Sequence, residues 1–254
     1  GPHRDDPAGC AAQPHPTVSA DAKRTKCFKR INEFMITLPS NWNKERLKDV
    51  TTVNALALPA STDLDYEFDY IEISNVDYWG IVDRQAIERL RFEDAPSRAR
   101  RIVSKNCTIV SSVRPNLQAI AFFPDNTEDL ICSTGFNVIQ PDIARVDPRY
   151  LYYVLLSDYA KQYFEAVATG VGYPAVADKD FEAFVLPLPQ LQQQERIAVF
   201  LENNCSVIDS VAFSDRSENN KTRMQGILNQ QMETLVAYRR ALIYECVTGQ
   251  RRIS

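Results

Sequence analysis

The pattern of apolar and polar positions divides the chain into two parts. As far as Pro189, short apolar or alternating runs dominate, and such runs are typical of β-strands. The runs that predict strands are 68–73, 107–113, 118–123, 130–139 and 181–188. The first part of the chain is therefore expected to contain a sheet.

One helix is predicted to interrupt these strands. Asp147 is its expected N-cap and Pro148 occupies the first helical position, where a missing N–H costs nothing. Its apolar positions follow at helical spacing, and Gly170 comes soon after its end; they are Leu151, Val154, Leu155 and Tyr159. Strands with an inserted helix predict a mixed α+β domain.

After Pro189 the pattern becomes helical, because residues 192–247 contain no proline and one glycine. Six positions at spacings of four and three predict a coiled-coil seam: Met224, Leu228, Gln231, Leu235, Tyr238 and Leu242. Such a seam needs a partner, either a second chain or an earlier segment that folds back. That segment carries Ile197, Phe200, Leu201, Ile208 and Val211. The polar stretch 214–220 is the expected break.

Three regions follow from this pattern. Residues 1–30 are rich in proline and alanine and are expected to be a disordered leader or a cloning remnant. Residues 31–190 are expected to form the globular domain, and residues 191–254 the helical region. No apolar run approaches the length of a membrane span and no secretory signal is evident, so the protein is expected to be soluble and cytoplasmic.

Composition removes several classes of enzyme. The two histidines, His3 and His15, both lie in the expected leader, which argues against histidine-based nucleophilic catalysis and metal sites. The six cysteines form no CxxC pair, so no metal site is expected. The chain shows neither GxGxxG nor a Walker loop, no glycine-rich methyl-donor loop and no ExK triplet. A binding protein is favoured over an enzyme.

Local charge indicates what could be bound. The net charge is -4, yet residues 84–114 contain eight basic residues against three acidic ones, a local charge of +5. Arg98, Arg100 and Arg101 lead into a strand, where guanidinium groups could reach phosphates or guanine edges. The alternative is a solvated, salt-bridged surface.

Three loops offer further contacts. The segment 111–117 presents Ser112, Arg114 and Asn116, which are competent for base or phosphate contacts. The segments 133–136 and 170–175 are small-residue turns, and the second carries Tyr173. Each could equally be an ordinary turn. The acids Asp63, Asp65, Glu67, Asp69 and Glu72 are interpreted as a wet strand face rather than as catalytic carboxylates.

The order of these pieces resembles one half of the specificity subunit of type I restriction-modification systems. The resemblance covers about residues 36–252. It begins with Leu-Pro-Ser-Asn-Trp at 38–42, Arg-Leu-Lys-Asp-Val at 46–50 and Tyr-Ile-Glu-Ile-Ser-Asn-Val at 70–76. It continues through Ile-Val-Ser-Ser-Val-Arg-Pro at 109–115 and Ser-Thr-Gly-Phe at 133–136. It closes with Leu-Pro-Leu-Pro at 186–189, Gln-Glu-Arg-Ile-Ala at 194–198, Phe-Leu at 200–201, Tyr-Arg-Arg-Ala-Leu-Ile at 238–243 and Val-Thr-Gly at 247–249.

This resemblance implies a non-catalytic DNA reader, with residues 31–190 as target recognition domain and 191–254 as helical spacer and dimerisation region. It implies binding to double-stranded DNA, to modification (methyltransferase) subunits and to restriction subunits. S-adenosylmethionine, ATP and Mg²⁺ are expected on those partner subunits and no cofactor on this chain. The expected DNA-binding residues are Ser74, Asn75, Arg98, Arg100, Arg101, Ser112, Arg114, Asn116 and Tyr173.

Because a full subunit has two recognition domains and two helical regions, a half-length chain is expected to act as a homodimer or with another half subunit. A helix over 222–248 would span roughly 40 Å, close to one duplex turn of about 34 Å. Two such helices paired antiparallel would hold two reading heads over a bipartite site. The competing hypotheses are a stand-alone nucleic-acid-processing enzyme and a DNA-mimicking interaction protein with a helical stalk.

Overall fold

The computed structural model describes residues 36–77, 79–125, 127–214 and 225–253, without the side chains of 212–214 and 225–229. Ile36–Ser254 form one compact unit. The expected leader at 1–30, Met224 and most of the polar stretch 214–220 lie outside the described residues. Among the helices that are described, none combines the length and the apolar character needed to cross a bilayer.

Ten strands occur in the described ranges, and they confirm a mixed α+β fold. They are β1 Asn43–Arg46, β2 Thr51–Val53, β3 Glu67–Ile71, β4 Glu88–Arg91, β5 Ala99–Ile102, β6 Cys107–Ser111, β7 Ile120–Phe123, β8 Leu130–Ser133, β9 Phe136–Pro141 and β10 Val185–Leu188. Six helices accompany them: α1 Leu47–Val50, α2 Pro148–Leu156, α3 Asp158–Val167, α4 Asp178–Glu182, α5 Leu191–Ser214 and α6 Gln225–Val247. Short 3-10 helices cover Ile73–Asn75, Arg84–Ala86 and Pro115–Leu117.

The strands form two four-stranded sheets and one pair. The sheet orders are β2-β9-β6-β7 and β4-β3-β8-β5, and β1 pairs with β10. Only β3 and β8 run parallel among these pairings. The buried faces of the sheets carry Ile109 and Phe136 in one cluster and Phe68 and Ile131 in the other.

Two of the predicted strands were wrong in extent. The run 130–139 is divided between β8 and β9, which belong to different sheets, because Thr134 and Gly135 turn the chain between them. The run 181–188 begins as the end of α4, and only its second half is strand. The two phenylalanines of this run pack against a helix residue rather than within a sheet. The ring of Phe181 stacks on that of Phe164 with 4.7 Å between centroids, and the ring of Phe184 lies 5.2 Å from the same centroid.

The predicted helix start is confirmed. The Asp147 carboxylate accepts hydrogen bonds from the backbone N–H of Arg149 at 2.9 Å and of Tyr150 at 3.0 Å, and Pro148 is the first helical residue. The helix ends earlier than the apolar pattern indicated, because the Ser157 side chain caps a new helix, α3. Tyr159 therefore lies on α3, where its hydroxyl donates to the Val185 carbonyl at 2.8 Å.

The two long helices, α5 and α6, pack on each other and on α2. From α5, Ile197, Leu201 and Ile208 are buried, as expected for a segment that folds back, whereas Val211 is exposed. The buried stripe of α6 differs from the predicted seam. Leu242 is buried within this chain, but Gln231 is exposed, Leu235 half-buried and Tyr238 50% exposed.

The stripe that is buried on α6 runs through Arg239, Leu242, Ile243 and Cys246. It begins at Arg239 rather than at Tyr238, because α6 packs on two helices of its own chain, α5 and α2. A heptad pattern assumes one partner helix, so it could not anticipate a stripe that is shared between two.

A buried arginine joins the two long helices to the globular domain. Arg239 Nε lies 2.9 Å from Asp209 Oδ1 of α5, a charge contact whose angle is too poor for a hydrogen bond. Its Nη2 donates to Asp209 Oδ2 at 3.4 Å and to the Trp79 carbonyl at 3.3 Å. The guanidinium also lies 5.2 Å from the centroid of the Trp79 ring.

Candidate nucleic-acid interface

Backbone hydrogen bonds join four of the predicted segments into one surface. The Thr134 N–H donates to the Arg98 carbonyl at 2.8 Å, which ties the turn 133–136 to the basic cluster. The Ser112 N–H and hydroxyl both donate to the Gly135 carbonyl at 2.9 Å. The Val176 N–H donates to the Ser112 carbonyl at 2.9 Å, which adds the segment 170–175. We call Arg98, residues 111–117, residues 133–136 and residues 169–175 the loop cluster.

Two glycines give the loop 169–175 its shape. Thr169 and Ala175 exchange two backbone hydrogen bonds of 2.9 Å and so close the loop. Gly170 and Gly172 have φ of +115° and +85°, a region that other residues rarely adopt. Ala175 also bridges to Val113, so the loop is attached to the neighbouring one. The result is a braced hairpin.

Arg114 is an exposed cation on the loop 111–117, beside the loop 169–175. Its backbone is left-handed with φ of +51°, and its N–H donates to the Pro174 carbonyl at 2.7 Å. The guanidinium lies 4.2 Å from the centroid of the Tyr173 ring, which is itself 70% exposed. Because the described residues give Arg114 no carboxylate partner, the edge of its guanidinium remains able to donate to phosphate or guanine.

Two of the three arginines of the basic cluster, Arg98 and Arg100, have partners within the protein. Arg98 pairs with Glu72 and donates to the Tyr70 hydroxyl at 3.2 Å, and the bond to Glu72 raises the pKa of the guanidinium. Arg100 lies over the Phe92 ring at 4.5 Å and donates to the Ala99 carbonyl.

Arg101 is half-buried in β5, and its Nε is buried without a hydrogen-bond partner among the described residues. Arg98 therefore fits the salt-bridged alternative, although 56% of its side chain stays exposed, whereas Arg100 and Arg101 form no ion pair with the described residues.

Two further arginines of the basic segment 84–114 pair with the acids of the predicted strand face or with acids beside it. Arg89 on β4 contacts Glu67 and Asp69 on β3, each at 3.2 Å. Arg91 contacts Asp65 at 3.6 Å, Glu93 at 2.6 Å and Asp94 at 2.9 Å. These pairs place arginines among the acids, so in the part of the chain that the structure describes Asp65, Glu67 and Asp69 form no continuous negative stripe of the kind a DNA mimic needs.

The side chains of two further predicted residues, Asn75 and Ser112, form hydrogen bonds within the fold. The Asn75 side chain accepts from the Glu72 N–H at 2.7 Å and donates to the Ala86 carbonyl at 3.1 Å, so its amide holds a 3-10 turn. The Ser112 hydroxyl is bonded to Gly135, as described above. Ser74 and Asn116, in contrast, are exposed. Arg114, Asn116 and Tyr173 are thus the predicted residues that the structure brings together in solvent.

Sequence reasoning missed two exposed apolar residues of the loop cluster. Val171 is fully exposed and Leu117 is 48% exposed. The sequence held a signal for the exposure of Val171, because the residue lies between two glycines in a predicted loop. An apolar residue there has no strand or helix to bury it.

The described residues hold no group of three or more histidine, cysteine or carboxylate side chains placed to bind a metal. The four described cysteines are unpaired and buried. Burial raises the pKa of Cys107 and of Cys205 to about 11, so both stay protonated thiols at neutral pH and are poor nucleophiles.

Comparison with known proteins identifies the family. The profile described as "Type I restriction modification DNA specificity domain" matches residues 39–210. The chain belongs to this family. Among curated relatives of this specificity family, the HindI specificity subunit of Haemophilus influenzae is 23% identical over 171 residues, which are 62% of this chain and 34% of that protein. The putative MjaX specificity subunit of Methanocaldococcus jannaschii is 22% identical over 178 residues, 68% of this chain and 42% of that protein.

Solved structures of the family share the fold. The HsdS subunit of Thermoanaerobacter tengcongensis is 31% identical, with a TM-score of 0.59 over 71% of this chain and 45% of that one. A chain from a study of complex assembly and conformational transition of the type I R-M system is 30% identical, with a TM-score of 0.61 over 70% of this chain and 45% of that one. This specificity-family chain thus spans less than half the length of each of these relatives.

Proposed function

We propose that the chain is the DNA-reading component of a type I restriction-modification complex and that it carries out no chemistry itself. It directs modification subunits, and restriction subunits where these are present, to a bipartite DNA site. S-adenosylmethionine, ATP and Mg²⁺ are held by those partners. Family membership supports this proposal, together with the chemistry of the exposed loops.

The observation that carries the proposal is the loop cluster. It presents a guanidinium, an amide and an aromatic face from two loops that are braced against each other, through Arg114, Asn116 and Tyr173. A guanidinium fork and an amide are the groups that read guanine and adenine edges in the major groove. Bracing matters because a reader that is held in place loses little conformational entropy on binding.

We further propose that two copies assemble through their long helices. Val199, Val207 and Val211 of α5 are exposed. At 100° per residue they occupy roughly a third of the helix circumference, on the side away from the core. Tyr238 of α6 is exposed as well. We therefore place the dimer interface on this surface rather than on the seam predicted on α6. A twofold dimer built on it would read a palindromic bipartite site.

The experiment that tests the function separates reading from catalysis. The purified chain is incubated with DNA, S-adenosylmethionine and Mg²⁺, first alone and then with its modification subunits. We expect sequence-specific methylation only when the modification subunits are added. Methylation or cleavage by the chain alone would establish the competing enzyme hypothesis.

A further inference from the structure

The loop cluster ends in an apolar tip. Val171 is fully exposed at the turn of the loop 169–175, and the exposed parts of Leu117 and Tyr173 belong to the same two loops. Exposed apolar side chains are common singly, but three on two hydrogen-bonded loops mark these loops as a candidate binding surface.

The base of the tip is attached to the neighbouring loop. Thr169 and Ala175 close its base with two hydrogen bonds, and the bonds from Arg114 to Pro174 and from Val176 to Ser112 attach it to the next loop. The two positive-φ glycines allow the turn to take its direction. Val171 lies between them and is fully exposed, so its side chain is available to a partner.

The neighbouring charge indicates the kind of partner. Arg114 lies on the Tyr173 ring, within the same tip, and faces no carboxylate of the described residues. An apolar side chain beside a cation matches a duplex, whose base faces are apolar and whose phosphates are negative. DNA-binding proteins use apolar side chains in this way, as wedges inserted between base steps that kink the helix.

We propose that Val171 is inserted into the base stack of each half-site, with Tyr173 covering the opened step and Arg114 donating to the edge of the adjacent base. The proposal rests on the proposed DNA-reading function and adds a mode of recognition to it. Because pyrimidine–purine steps unstack most easily, the half-site should contain such a step where the tip enters. Val171 would then select sequence through deformability, without a hydrogen bond to any base.

The test uses 2-aminopurine, a fluorescent adenine analogue that is quenched by stacking. It is placed in turn at each adenine of the half-site except the methylated one, which the methyltransferase itself could extrude. The complete complex with modification subunits is bound to each duplex. We expect fluorescence to rise several-fold at one position for the native chain and to stay near the free-duplex level for Val171→Ser.

The matched control is Leu64→Ser, which removes another exposed apolar side chain outside the loop cluster. It should leave the fluorescence rise intact. Val171→Ser should also weaken target binding by about tenfold, the effect of losing one buried apolar side chain. Since Val171 is fully exposed, the thermal unfolding midpoint should not change, and this verifies that the variant is folded.

Three other outcomes are decisive. If the complex binds its target specifically but no position brightens, the wedge is wrong and the DNA-reading function stands. If a position brightens equally in Val171→Ser, the unstacking has another cause and the wedge is again wrong. If the complex shows no sequence preference at all, the proposed function fails and the wedge fails with it.

Discussion

Replacing Arg239 by methionine tests whether the contact between the long helices and the globular domain is an ion pair of structural importance. Methionine keeps much of the length and the apolar stem but removes the charge. It leaves Asp209 without its cation and removes the hydrogen bond to the Trp79 carbonyl. The matched control is Arg240→Met at the next residue of α6, where the guanidinium pairs with Asp158 while 47% exposed.

The magnitude follows from burial. Breaking a buried ion pair by removing one partner costs about 3 to 5 kcal/mol. The Asp209 side chain keeps 23% of its surface exposed, so water relieves part of the penalty. We therefore expect about 2 to 3 kcal/mol from the stranded carboxylate and about 1 kcal/mol from the lost hydrogen bond. The exposed control pair should contribute about 0 to 1 kcal/mol.

The pH dependence gives an independent check. Burial already raises the pKa of Asp209, and Arg239 partly offsets that effect. Without the arginine the pKa rises further, so the folded state binds a proton more readily than the unfolded state does. The penalty is then present at neutral pH and declines as the pH falls through the pKa of the folded state.

The assay is urea unfolding followed by far-ultraviolet circular dichroism at pH 7.5 and pH 5. We expect Arg239→Met to lose about 3 kcal/mol at pH 7.5 and measurably less at pH 5. Equal midpoints for Arg239→Met and Arg240→Met would refute the reasoning. A deficit that does not shrink at acidic pH would show that the stranded carboxylate is not its cause.

Three further changes have expected outcomes. Arg114→Ala should weaken target binding by about 1 to 3 kcal/mol and relax one position of the site with little change in nonspecific affinity, measured by fluorescence anisotropy; unchanged target affinity would remove Arg114 from the interface. Val207→Asp should dissociate the proposed dimer in light scattering because it charges the exposed α5 surface, whereas Leu64→Asp, which places the same charge at an exposed apolar residue of the globular domain, should not; dimers that persist in Val207→Asp place the interface elsewhere. Asp147→Ala should lower stability by about 1 to 2 kcal/mol through loss of the α2 cap, measured by thermal unfolding, and an unchanged midpoint would contradict that assignment.

Features determined by neighbouring residues were predictable from the sequence. The Asp147–Pro148 start of α2 depends on the next three residues only, and the structure confirms it. The apolar runs 107–113 and 118–123 located β6 and β7 to within two residues at each end. The end of α2 was missed because Ser157 starts a second helix without interrupting the apolar pattern.

Features determined by distant residues were not predictable. The partner of Arg98 is Glu72 and that of Arg239 is Asp209, 26 and 30 residues away, so the sequence could not show which arginines remain available for DNA. The loops of the candidate site each carried a recognisable composition. Their convergence depends on long-range backbone hydrogen bonds such as that from Ser112 to Gly135, for which composition gives no signal.

The most direct measurement of the central claim is sequencing of methylated positions in the DNA of cells that express this chain with its modification subunits. We expect one bipartite, palindromic motif with a fixed spacer. In Arg114→Ala, the base preference should be lost at the same position in both halves of this motif. Methylation at the same motif when this chain is omitted, or a motif that Arg114→Ala and Tyr173→Ala both leave unchanged, would contradict the account.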